Sequence, residues 1–175
     1  MKRIKLFCCL AAAVLLSAGC GALLRTPEEM AQEEARIEQL VAQRLGARKY
    51  RVNFNFMNPS RGGSRAIDPT YGITVNGTHL VSYLPYFGVA YDLPYGGGKG
   101  LNFESEIDEY SVRERRDRQV IEFTTNNGED IFLYHLEVFP NGRSDLRVRS
   151  RNREQIDYQG HLDENFDPDE AETEN

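Results

Sequence analysis

The chain has 175 residues, with 21 Lys and Arg against 27 Asp and Glu, a net charge of −6 and a mean hydropathy of −0.55. That length suits one domain large enough to bury its own core, and the acidic balance argues against nucleic acid as a partner. With 3 cysteines, two of them inside an N-terminal apolar run, a disulfide framework is excluded.

Lys2, Arg3 and Lys5 precede the apolar run Leu6 to Leu16, too short to span a bilayer and right for the hydrophobic region of a signal peptide over residues 1–19. The run closes on Leu16-Ser17-Ala18-Gly19-Cys20, small residues before a cysteine, which resembles a bacterial lipobox although Ser17 stands where leucine is commonest. The resemblance implies that Cys20 is acylated and anchors the chain in a lipid bilayer. Multiple acyl chains hold stably where one alone binds marginally.

Residues 20–25 read as a tether. Thr26-Pro27-Glu28-Glu29 has the spacing of a capping box with proline at the first helical position, and predicts an amphipathic helix from Pro27 to about Leu45. Glu28, Glu29, Glu33 and Glu34 come early and Arg36 and Arg44 late, the order the helix dipole favours. Met30, Ile37, Leu40, Val41 and Leu45 form one narrow apolar stripe, and Gly46 is a natural stop.

From Lys49 the period becomes two. Tyr50, Val52, Phe54 and Phe56 alternate with polar residues, a strand with one buried face that ends in a turn-rich loop carrying Arg61 and Arg65. Asn76-Gly77 between two apolar runs predicts a type I′ hairpin. The second of these strands runs into Tyr83 to Gly100, which holds Tyr83, Tyr86, Phe87, Tyr91 and Tyr95, two prolines and five glycines. These rings either plug one end of a small β core or wall a ligand cleft, and the loop is expected to pack back on the strand beginning at Tyr50.

Short strands follow at Leu101–Glu104, Glu109–Arg115, Gln119–Thr124, Asp130–Phe139, Asp145–Arg149 and Gln155–His161, joined by Arg116-Asp117, Asn126-Asn127-Gly128, Asn141-Gly142 and the polar bend Arg151 to Glu154. The fold class is therefore mainly β: an antiparallel meander forming a sandwich or flattened barrel, with one N-terminal amphipathic helix, in a single domain over residues 26–162. Residues 163–175 carry seven acids and no base, and read as a disordered acidic tail dispensable for folding.

Phe54-x-Phe56-Met57-Asn58-Pro59, Ser64-Arg65, Ser82-Tyr83-Leu84-Pro85-Tyr86-Phe87-Gly88-x-Ala90-Tyr91, Gly100-Leu101-x-Phe103 and Ile156-x-Tyr158-x-Gly160 resemble the lipoprotein family known as domain of unknown function 4251, over about Tyr50 to Leu162. The resemblance implies an envelope lipoprotein of a diderm bacterium, in the outer membrane and facing periplasm or surface. It implies no catalytic residues.

No catalytic signature stands out. Gly96-Gly97-Gly98-Lys99-Gly100 lacks the Ser or Thr, and the following helix, that a P-loop requires. His79, His135 and His161 lie on separate strands without metal-ligand spacing, so neither metal nor other cofactor is expected. Arg143, Arg147, Arg149, Arg151 and Arg153 read as the charged exterior of a half-buried strand. The preferred function is a non-catalytic binding or assembly module with Tyr83, Tyr86, Phe87, Tyr91, Tyr95, Arg61 and Arg65 as its contact surface, for an envelope protein or glycan. The alternative is a lipid-anchored hydrolase, which would need two titratable side chains converging in a cleft.

Overall fold

In the computed structural model, residues 26–91 and 100–167 are described; Cys20, Tyr95 and the Gly96 to Gly98 run lie outside them. The helix α1 (Pro27–Ala47) starts on the expected capping box. The Thr26 N–H donates to Glu29 Oε2 at 2.8 Å and the Glu29 N–H to Thr26 Oγ1 at 3.2 Å. The stop is not Gly46: the left-handed residue is Arg48, with φ of 53°. Its carbonyl accepts the Gly77 N–H at 2.8 Å and its guanidinium lies 4.3 Å from the centre of the Tyr110 ring, contacts that hold a non-glycine residue in this conformation. Of the apolar stripe, Val41 and Leu45 are buried, Ile37 is packed against the core, and Met30 is 48% exposed. No helix among the described residues is long and apolar enough to cross a membrane.

The strands are β1 (Lys49–Pro59), β2 (Arg65–Ala66), β3 (Gly72–Asn76), β4 (His79–Leu84), β5 (Leu101–Arg115), β6 (Arg118–Asn126), β7 (Ile131–Val138), β8 (Arg143–Ser150) and β9 (Ile156–Leu162). All pair antiparallel in the order β2-β1-β3-β4-β5-β6-β7-β8-β9, and β9 returns to pair with β1. That last ladder decides between the two expected architectures: the meander closes into an eight-stranded barrel, with β2 a short addition beside β1. Closure passes through two glycines that flank β1. A Cβ on Gly72 would lie 2.4 Å from the Val52 carbonyl oxygen, and one on Gly160 would lie 1.9 Å from that of Asn53, where a bulge between Phe54 and Phe56 shifts the register.

Two local expectations are corrected. Asn76 pairs with His79, so the hairpin turn is Gly77-Thr78, not Asn76-Gly77. Gly77 alone has positive φ, 62°, as in a type II′ turn, which spares the β-branched Thr78 the positive φ that type I′ would demand. The strands expected at Leu101–Glu104 and Glu109–Arg115 are one strand, β5, carried past Asp108 by a bulge between Ile107 and Glu109. The acidic segment begins docked: the Asp163 carboxylate accepts the Asn53 amide at 3.0 Å, and Glu164 pairs with Arg36 at 2.6 Å.

The barrel interior is filled by side chains. Tyr50, Phe54, Phe123, Phe132, Tyr134 and Tyr158 are fully buried, with the Phe123 and Tyr134 rings stacked at 4.8 Å. Each buried phenol has a partner: Tyr134 donates to Ser82 Oγ at 3.0 Å, Tyr158 to the Pro85 carbonyl at 2.7 Å, and Tyr50 lies 3.3 Å from the Tyr110 hydroxyl. Burial pushes the Tyr50, Tyr134 and Tyr158 phenols above their ordinary value. Because these folded-state values are raised, the stability is whole below the unfolded phenol's pKa of about 10 and is lost as pH climbs from there toward the native values. Denaturant titrations should therefore show stability falling above pH ~10 by about 1.4 kcal/mol per pH unit for each buried tyrosine. A flat profile between pH ~10 and ~11 would contradict the burial of these hydroxyls.

Candidate functional site

Leu45, Val41 and the Phe139-to-Gly142 turn mark one end of the barrel, where a Cβ on Gly142 would touch Val41 at 3.9 Å. At the other end lie the segment leaving β4, the loop after β1, the β6–β7 turn and the bend between β8 and β9. The described part of the expected aromatic loop, up to Tyr91, docks here on the bend, whereas β1 was its expected dock. Ala90 forms a bridge with Arg153, the Tyr91 N–H donates to the Asn152 carbonyl at 2.7 Å, and the Glu154 N–H donates to the Val89 carbonyl at 3.0 Å. Tyr86 folds back over this bracket, its hydroxyl 3.0 Å from both the Val89 and Glu154 carbonyl oxygens. Gly88 permits the fold, since a Cβ there would lie 2.6 Å from that hydroxyl. Burial pushes the Tyr86 phenol above its usual value, so it stays a neutral donor.

Glu154 is the hub. Its carboxylate is only 9% exposed and forms an ion pair with Arg61 at 3.0 Å, with the Tyr91 hydroxyl at 3.5 Å and the Val89 N–H at 3.4 Å. Arg65 lies over the Phe87 ring at 5.0 Å. Thus five of the expected contact residues, Arg61, Arg65, Tyr86, Phe87 and Tyr91, meet at one barrel end. Phe87 and Tyr91 are 49% and 67% exposed, so among the described rings of the loop only Tyr86 packs on the core. Tyr83 sits apart on the outer face of β4, stacked at 5.0 Å on Tyr71. Beneath the bracket, Arg153 lies 5.5 Å from the Tyr86 ring centre and 4.0 Å from Asp130, the two side chains 6% and 4% exposed. Arg153, expected with Arg143, Arg147, Arg149 and Arg151 on a charged exterior, is thus buried, because the bend after β8 turns it under the Tyr86 bracket. Glu154 and Asp130 were not singled out from sequence, where Arg151 to Glu154 carries only the signal of a polar bend.

A second cluster crosses the outer face of β6 to β9. His135 stands between Glu122 at 2.9 Å and Glu137 at 3.3 Å, Arg118 reaches Glu137 at 2.7 Å, and Arg147 grips Asp157 at 3.1 and 3.3 Å. The Asp157 contact holds the Arg147 guanidinium above its usual range. A shallow groove of about 240 Å³ runs over this row, lined by His135, Glu137, Asp145, Arg147 and Asp157 among others. Titratable groups do converge here, but the lining contains no Ser, Thr or Cys, and Glu137 and Asp157 are engaged by arginines. The arrangement is an ion-pair row on a solvated sheet face.

The family model of a domain of unknown function, DUF4251, matches residues 28–162. A search of curated proteins gave no match. Three solved chains match, among them a crystal structure of a DUF4251 family protein from Bacteroides eggerthii, at a TM-score of 0.53 and 13% identity, covering 73% of this chain and 87% of that one. The likeness is one of fold.

Proposed function

The chain belongs to the DUF4251 family, and from that premise we propose that it is a membrane-anchored envelope lipoprotein whose Glu154 end is a non-catalytic binding or assembly surface. One observation carries this reading: Phe87, Val89 and Tyr91 stay exposed while the backbone beneath them is hydrogen-bonded to Asn152 and Glu154. Rings presented on an ordered backbone, beside Arg61 and Arg65, bind with little further loss of conformational freedom. An aromatic surface flanked by guanidinium and carboxylate groups suits an envelope protein or a glycan, with stacking on the rings and hydrogen bonds to the charged groups. Acylation of Cys20 would supply the anchor to the bilayer.

Alanine at Phe87 and at Tyr91 should leave the melting temperature within about 4 °C of the parent, roughly 1 kcal/mol, while partners co-purifying from detergent-solubilised envelopes are lost. Unchanged recovery would refute the surface. Cys20→Ser should release the protein from membranes, and a variant that still sediments with them after a high-salt wash would refute the anchor.

A further inference from the structure

We propose that the protein pairs with a second copy of itself through the overhanging edge of β5, forming a two-fold antiparallel strand pair centred on Val112. β5 pairs with β4 only from Leu101 to Glu106, and the Ile107 N–H makes one more bond on that side, to the Thr78 carbonyl at 2.7 Å. From there to Arg115, among the described residues, it pairs with β6 alone. In a barrel that otherwise closes on itself, this leaves a strand edge whose residues 108–115 are exposed except for the half-buried Tyr110.

The hydrogen-bond phase limits what can add to this edge. Ile107 points its N–H toward β4, and after the one-residue bulge the same side is faced by Tyr110, Val112 and Glu114. Ser111 and Arg113 point instead to their partners Glu122 and Val120 on β6. A two-fold ladder must therefore be built from the first set. The longest one sets Val112 against its mate and Tyr110 against Glu114 of the second copy.

That register is also complementary in charge. It sets Glu109 of each copy opposite Arg115 of the other and Ser111 opposite Arg113, leaving the Arg113 pair with Glu122 in place. Val112, 47% exposed in one copy, is covered by its own mate. A ladder centred on Glu114 would instead oppose glutamate with glutamate and Arg113 with Arg115. The bulge and charges that guard a strand edge against indiscriminate pairing here leave one self-complementary register open.

Sedimentation velocity of the purified full chain, in detergent and under reducing conditions so that cysteines do not cross-link, should show a concentration-dependent dimer. Glu109→Arg and Arg115→Glu should each weaken it at least tenfold, because each places like charges opposite one another twice. An equimolar mixture of the two variants should restore it, since each then meets the opposite charge. A parent chain that stays monomeric over the accessible range would overturn the proposal, as would single variants that dimerise like the parent or a mixture no better than its components.

Discussion

Gly160→Ala should unfold the protein or lower its stability by about 3 kcal/mol or more, the upper range for forcing atoms into a packed interior. The methyl group would lie 1.9 Å from the Asn53 carbonyl oxygen and 2.7 Å from the Phe54 Cα, and both are backbone atoms of β1 that no rotamer change can move aside. The clash falls on the β1–β9 ladder, the seam where the first long strand meets the last and the ring closes. Gly46→Ala is the matched control: a Cβ there has nothing within 4 Å, and the residue is helical. That variant should gain about 0.5–1 kcal/mol from helix propensity. Guanidinium denaturation of both reads the contrast, and a Gly160→Ala variant within about 1 kcal/mol of the parent would mean that the seam does not hold as described.

Arg153→Ala should cost about 3–5 kcal/mol, the usual result of leaving one charge of a buried pair without its partner. Asp130 would then sit 8% exposed, its Oδ2 already lacking a hydrogen bond, with no cation at 4.0 Å. The same substitution removes the guanidinium from under Tyr86, so the bracket that displays Phe87 and Tyr91 should loosen as well. Replacing both members, Asp130→Asn with Arg153→Met, should lose less than Arg153→Ala alone, because no uncompensated charge remains in the interior. Thermal and denaturant unfolding of the three variants test this. A double variant worse than the single one would show that the pair's own attraction, and not the orphaned carboxylate, dominates.

The sequence by itself determined what rests on short-range rules. The capping box at Thr26 and Glu29, the alternation from Tyr50 to Phe54 and the Gly142 turn each depend on residues a few positions apart, and each stands in the structure at its expected place. Phe56, expected on the same buried face, is instead 44% exposed, because the bulge between Phe54 and Phe56 turns the next residues over and buries Met57 in its place. Short range also misleads by one step: Asn76-Gly77 is a strong hairpin signal, yet the strands chose the register that starts the turn at Gly77. Likewise nothing local marks Arg48 as the left-handed residue, because its contacts are Gly77 and Tyr110, well along the chain.

Only the tertiary structure decided what depends on distant pairs. Whether the meander stays open, stacks as a sandwich or closes is settled by β1 meeting β9, a contact between segments about a hundred residues apart that no period or turn encodes. The aromatic loop was legible as an unusual stretch, but the dock of its described part was not. Glu154 is one carboxylate in a polar bend until closure brings Arg61, Val89 and Tyr91 around it. Composition fixed which residues could form a surface, and the ring of strands fixed which of them share one, because side-chain proximity across a barrel follows from register and not from sequence distance.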